Sequence, residues 1–114
     1  MMIVDSEKGN IVAQLPIGMR VDGAAFDPEL KMAFSSNGEG TITVVQEVSP
    51  SEFKVVDTIK TQVGARTIAL DAKTHHVFVS TAQFGETPAA TAENPNPRPI
   101  VVPGTFMILE YGMK

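Results

Sequence analysis

The chain has 114 residues, a single domain's worth, and its 43% hydrophobic and 19% charged content is that of an ordinary globular protein rather than a disordered one. A formal net charge of -4 argues against nucleic acid or an anionic membrane as partner, because both select a basic footprint. The absence of cysteine removes disulfides, thiolate chemistry and Cys-ligated zinc.

The opening "MMIVDSEKGN" has neither a basic start nor a long apolar stretch, so no signal peptide is expected in this chain. Short runs rich in Val, Ile, Thr and Phe then follow one another, separated by turn residues. They fall at 2–5, 11–15, 23–26, 32–35, 41–48, 54–61, 67–70, 77–81 and 105–111. "SEKGN" (6–10), "FDPELK" (26–31) and "NGEG" (37–40) are the clearest turns, with Asp27 and Pro28 placed as a type I turn prefers. No window shows helical periodicity. The expectation is an all-β protein.

Sliding the chain along itself by 44 positions brings "VDGAAFDPELKMAFSSN" (21–37) onto "ARTIALDAKTHHVFVST" (65–81). Ala25 then meets Ala69, Asp27 meets Asp71, Phe34 meets Phe78 and Ser36 meets Ser80. The same offset carries "NIVAQLPI" (10–17) onto "KVVDTIKT" (54–61), whereas "GTITVV" (40–45) meets "GTFMIL" (104–109) only at 64. The difference is an insertion of 20 residues, "GETPAATAENPNPRPIVVPG" (85–104), holding five of the eight prolines. A period near 44 built of four short strands predicts the blade of a β-propeller.

The segments "GNIVAQLPIG", "VDGAAFDPELKMAFSSNGEGTITVV" and "ARTIALDAKTHHVFVSTAQF" resemble the YVTN-type β-propeller repeat family. "RPIVVPGTFMILEYGMK" is similar to the closing end of such a propeller. The resemblance implies four-stranded blades running A to D from the axis outward, in closed rings of about seven blades. It also implies an exported or periplasmic parent, and it is specific for fold rather than chemistry. The small residues Ala24, Ala25 and Ala69 suit inner strands at a crowded taper.

Placed in this scheme, 1–17 reads as C and D strands, 18–61 as a complete blade, and 62–114 as A, B and C strands with the Pro-rich insertion 85–104. Two blades cannot close a ring, and an uncovered sheet edge invites another chain. The expectation is that 11–15 of one copy completes the last blade of its neighbour. Strand exchange of this kind builds a head-to-tail homotrimer of six blades, or less favourably a homotetramer of eight. The segment 2–5 has no place in that count.

The pair His75–His76 lies in an A–B turn, and neighbouring residues on a strand point to opposite sides, so no metal site is expected there. A solvated hairpin bend is. The D–A loops "GMRVDG" (18–23) and "QVGAR" (62–66) carry Arg20, Asp22 and Arg66 toward the channel mouth, either as a site for a small anionic ligand or as inter-blade ion pairs. The insertion is expected on the same face, as a rim over the mouth or packed along a neighbouring blade through Ile100 and Val101. No nucleophile with a base, "GxSxG" or phosphate loop is present, and no catalytic residue or cofactor is expected. The favoured reading is a non-catalytic scaffold or binding module. The alternatives are a lactonase-like hydrolase acting at the channel mouth, by analogy of fold, and a fragment with no selected function.

Overall fold

The computed structural model describes residues 1–112 and is all-β, with three antiparallel sheets and, among the described residues, no helix. β1 (Met2–Val4) and β2 (Ile11–Gln14) form a two-stranded sheet. β3 (Val21–Asp27), β4 (Met32–Asn37), β5 (Thr41–Ser49) and β6 (Glu52–Lys60) form a four-stranded sheet in chain order. β7 (Arg66–Asp71), β8 (His76–Thr81) and β9 (Met107–Tyr111) form the third, also in chain order.

One turn device is used three times. Asp5 Oδ1 accepts the amides of Glu7 and Lys8, Asp27 Oδ1 those of Glu29 and Leu30, and Asp71 Oδ1 those of Lys73 and Thr74. Four residues after each aspartate the backbone enters the left-handed region, at Gly9 (φ 74°), Lys31 (φ 56°) and His75 (φ 61°). The short Asp side chain replaces backbone hydrogen bonds that the bend breaks. Amide donation from Lys8 to Asp5 and from Lys73 to Asp71 holds both carboxyls below the usual carboxylate range.

Packing follows the pleat. In β4 and β5 the pairs Phe34–Val44 and Ser36–Ile42 lie on one face, and Ser35–Thr43 and Ala33–Val45 on the other. The first face meets β8, where Val77 and Val79 are buried, and the core continues through Ile59, Ile68, Leu70, Leu109 and Tyr111. Each such aliphatic side chain contributes about 1.5–3 kcal/mol on burial. The second face carries a polar cluster. Buried Asn37 donates to the hydroxyls of Thr41 and Thr43, both at 3.0 Å, and accepts from Ser35 Oγ at 3.1 Å. Gly18 reaches the same cluster, its amide donating to Thr43 Oγ1.

The sheets lie side by side, and corresponding strands meet. β3 packs beside β7, where Gly23 faces Ile68, and β2 touches β6. This row measures 48 × 34 × 20 Å and has a radius of gyration of 16.4 Å, against about 13 Å for a compact chain of this length. Several large apolar side chains are exposed on it. Phe106 and Ile108 are 71% and 63% exposed, and Met2, Val4 and Ile11 stand out from the two-stranded sheet.

Several strand bounds differ from the expected ones. β9 begins at Met107 rather than at 105, because Thr105 Oγ1 accepts the Gln83 amide and donates to the Val102 carbonyl, closing the root of the insertion. β2 is paired with β1, so the segment 2–5 left over by the strand count is the partner of the segment expected to be donated.

Candidate functional site

Both kinds of loop that cross between strands at one end of the row are tied together by backbone. The amides of Gly38 and Glu39 donate to the carbonyls of Arg20 and Met19, and those of Thr61 and Gly64 donate to Gly40 and Gly38. The segments 18–20, 38–40 and 61–64 therefore form one continuous surface. The insertion joins it. Phe84 bridges to Val101 in antiparallel fashion, with the Gly85 amide donating to the Ile100 carbonyl and those of Ile100 and Val102 donating to Glu86 and Gln83. Its root is thus a β-ribbon extending the β8–β9 hairpin, not a loose loop.

Between these segments lies a cleft of about 530 Å³, whose walls include Arg20, Asp22, Arg66, Phe84, Arg98 and Val101. The structure brings Arg20, Asp22 and Arg66 to one place. Ion pairing between sheets is not what holds them: among the described residues none of Arg20, Arg66 and Arg98 is paired with a carboxylate. Asp22 Oδ2 instead accepts the Thr67 amide at 2.8 Å, tying β3 to β7 through backbone, and Arg20 donates to the Gly38 carbonyl at 3.1 Å. The backbone is left-handed at both Arg20 (φ 58°) and Thr67 (φ 60°), a conformation that costs non-glycine residues free energy and tends to collect at functional positions.

Phe84 lies directly over Gly64. A Cβ on that glycine would come within 2.6 and 2.8 Å of the ring, and φ there is 82°. The cleft therefore has an aromatic wall that depends on a missing side chain. Sequence reading missed Arg98 and Phe84. Arg98 is the one basic residue in the 85–104 insertion, and that was the available signal. Ile100 and Val101, weighed as packing residues, are 58% and 51% exposed in the single chain.

At the opposite end, His75 and His76 do point to opposite sides. His76 Nδ1 meets Glu110 at 2.6 Å on the outer surface of its sheet. His75 departs from the solvated bend expected of it. Its Nδ1 meets Asp27 Oδ2 at 2.5 Å, its Nε2 stands 3.6 Å from Glu29, and only 23% of the side chain is exposed. Burial by itself raises the fully buried Asp27 carboxyl. Hydrogen bonds from the Leu30 amide, His75 and the Glu29 amide outweigh this and leave it below its ordinary value. The bond to Asp27 raises His75 above the ordinary imidazole range, against a smaller effect of burial. Among the described residues no three metal-ligating side chains converge.

Comparison of the chain with protein-family models, curated proteins and solved structures returned no match.

Proposed function

We propose that the chain is a β-propeller-type module that assembles with identical copies into a closed ring and acts as a non-catalytic scaffold and binding module. The observation that carries this reading is the alignment of like strands in neighbouring sheets. β3 lies beside β7 as inner strands around an axis do, and the two larger sheets run in chain order from those strands outward.

Two further features support assembly. Among the described residues β9 pairs only with β8, while Ile108 on it and Phe106 just before it are exposed. β2, which matches β6 in the repeat, has one edge on β1 and the other unpaired. In this reading the β1–β2 hairpin of one copy lays β2 antiparallel along β9 of the next, as β6 lies along β5, and β1 covers the outer edge. The contact is heterologous and closes by rotation, with three copies preferred and four as the larger ring. The hydrolase alternative would act at the channel mouth, where the cleft holds one carboxylate, Asp22, and no observation favours it.

Light scattering of the purified chain tests the reading. A mass of three or four chains that persists on dilution is expected, and removal of residues 1–16 is expected to abolish it. A folded, monomeric full-length chain overturns the ring. A discrete ring that survives the deletion overturns strand exchange by residues 11–15.

A further inference from the structure

We infer that the cleft between the two sheets and the insertion binds a small dianion carrying an apolar or aromatic substituent. This deepens the binding part of the proposal above, and it does not depend on the ring, because one chain supplies every wall.

The charge balance is the first argument. In a chain of net charge -4, three guanidiniums and a single carboxylate line one cleft. The carboxylate is engaged by the Thr67 amide, and among the described residues none of the three guanidiniums has an acidic partner. Three like charges with one carboxylate among them still repel each other, so an anion seated among them gains Coulomb energy from each and relieves their mutual repulsion. Guanidinium presents a planar pair of donors that matches carboxylate and phosphate oxygens. The excess of positive charge favours a doubly charged ligand.

The walls supply the second argument. Val21, Val63, Phe84 and Val101 line the same cleft, and Val63, Phe84 and Val101 are 59%, 41% and 51% exposed. A bare inorganic anion would leave that apolar surface in water. A ligand with a ring or short aliphatic body covers it, with Phe84 placed for stacking.

The third argument is how the site is assembled. Arg20 and Asp22 stand at the start of β3, Arg66 at the start of β7, and Arg98 on the insertion. Arg20 is held by Gly38, while the β-ribbon of Phe84 and Val101 brings Arg98 up to the other two. The insertion thereby acquires a role, since without it the cleft loses Val101, the strand that Phe84 bridges to, and one of its three cations.

The test is calorimetric titration of the full chain at low salt and pH 8, where a phosphomonoester is dianionic, using phenyl phosphate, phenylmalonate and inorganic phosphate. At least one phenyl dianion is expected to bind, and tenfold or more tighter than inorganic phosphate; the tighter of the two identifies the acid group. Arg98→Ala and Arg66→Ala are each expected to weaken that binding tenfold or more. Phe84→Ala is expected to erase the preference over inorganic phosphate. Circular dichroism checks that the variants stay folded, and Arg98 lies on an exposed segment where substitution leaves the core intact. Failure of both phenyl compounds to bind, or binding indifferent to Arg98→Ala and Arg66→Ala in folded protein, overturns the inference. Either result leaves the ring to be judged by its mass alone.

Discussion

His75 of one sheet's turn meets the buried carboxylate of Asp27 in the next sheet's turn, Nδ1 to Oδ2, at 2.5 Å. The two residues are 48 positions apart, and each occupies a defined place in the same repeated turn, Asp27 at its start and His75 at its left-handed end. The bond joins the two sheets at the end opposite the arginine cleft. Glu29 and Asp71 add further negative charge around the imidazole.

Stability should therefore depend on pH in a defined window. His75 is raised in the folded chain, so its contribution is complete below the ordinary imidazole value of 6.5 and is lost as pH rises through the raised one. Asp27 is lowered, so its contribution is present above the ordinary 3.8 and lost as pH falls through the lowered value. Thermal unfolding followed by circular dichroism should give the highest Tm between those limits. His75→Gln should flatten the alkaline decline and weaken the acid one, whose remainder the Leu30 and Glu29 amides at Asp27, together with Asp5 and Asp71, still govern. An unchanged alkaline limb in that variant would show that the bond contributes nothing.

Asn37 is the hub of a second buried arrangement. Its replacement by Ala leaves the Ser35 hydroxyl without its partner, while Thr41 keeps Glu39 and Thr43 keeps the Gly18 amide. The orphaned, buried Ser35 hydroxyl makes such a change cost about 1–3 kcal/mol. Urea unfolding should show the midpoint moving down with an unchanged slope. A loss below about 0.5 kcal/mol would mean that the Ser35 hydroxyl finds another partner.

Gly64→Ala tests the aromatic wall. The substitution forces a side chain into φ 82° and against the Phe84 ring, a backbone cost of about 1–2 kcal/mol before the collision is counted. Stability should fall by at least that amount, and phenyl phosphate affinity should fall with it. In Gly64→Ala combined with Phe84→Ala the collision is gone, so part of the stability should return while the affinity does not.

Ile108→Lys and Phe106→Asp place charge on an exposed face beside the unpaired edge of β9. In a lone chain these positions face water and the change should be nearly neutral in circular dichroism. In the proposed ring they abut a neighbour, so sedimentation should report monomers. Rings that tolerate both charges would remove this face from the interface.

The nine strands were legible as short runs, most of them rich in Val, Ile, Thr or Phe, separated by residues with a local reason to turn. Asp27 and Asp71 stood out at an offset of 44 because the same carboxylate-to-amide turn recurs there. The left-handed position at its end was hidden, since Lys31 and His75 share a backbone conformation and no chemical likeness. Arg20, Asp22 and Arg66 could be named from the loops that carry them. Arg98 could not, because its approach depends on how a Pro-rich insertion folds back along Phe84 and Val101.

Composition and local pattern by themselves determined an all-β chain, the places where it bends, and the repeat that organises it, for these are set by preferences of residues a few positions apart. Tertiary structure decided which faces met. Only there did His75 find Asp27 rather than water, Asp22 an amide rather than an arginine, and three guanidiniums a common cleft. The physical reason is that hydrogen bonds and charges act over a few ångströms of space, and separation along a chain says little about that distance until the sheets have packed.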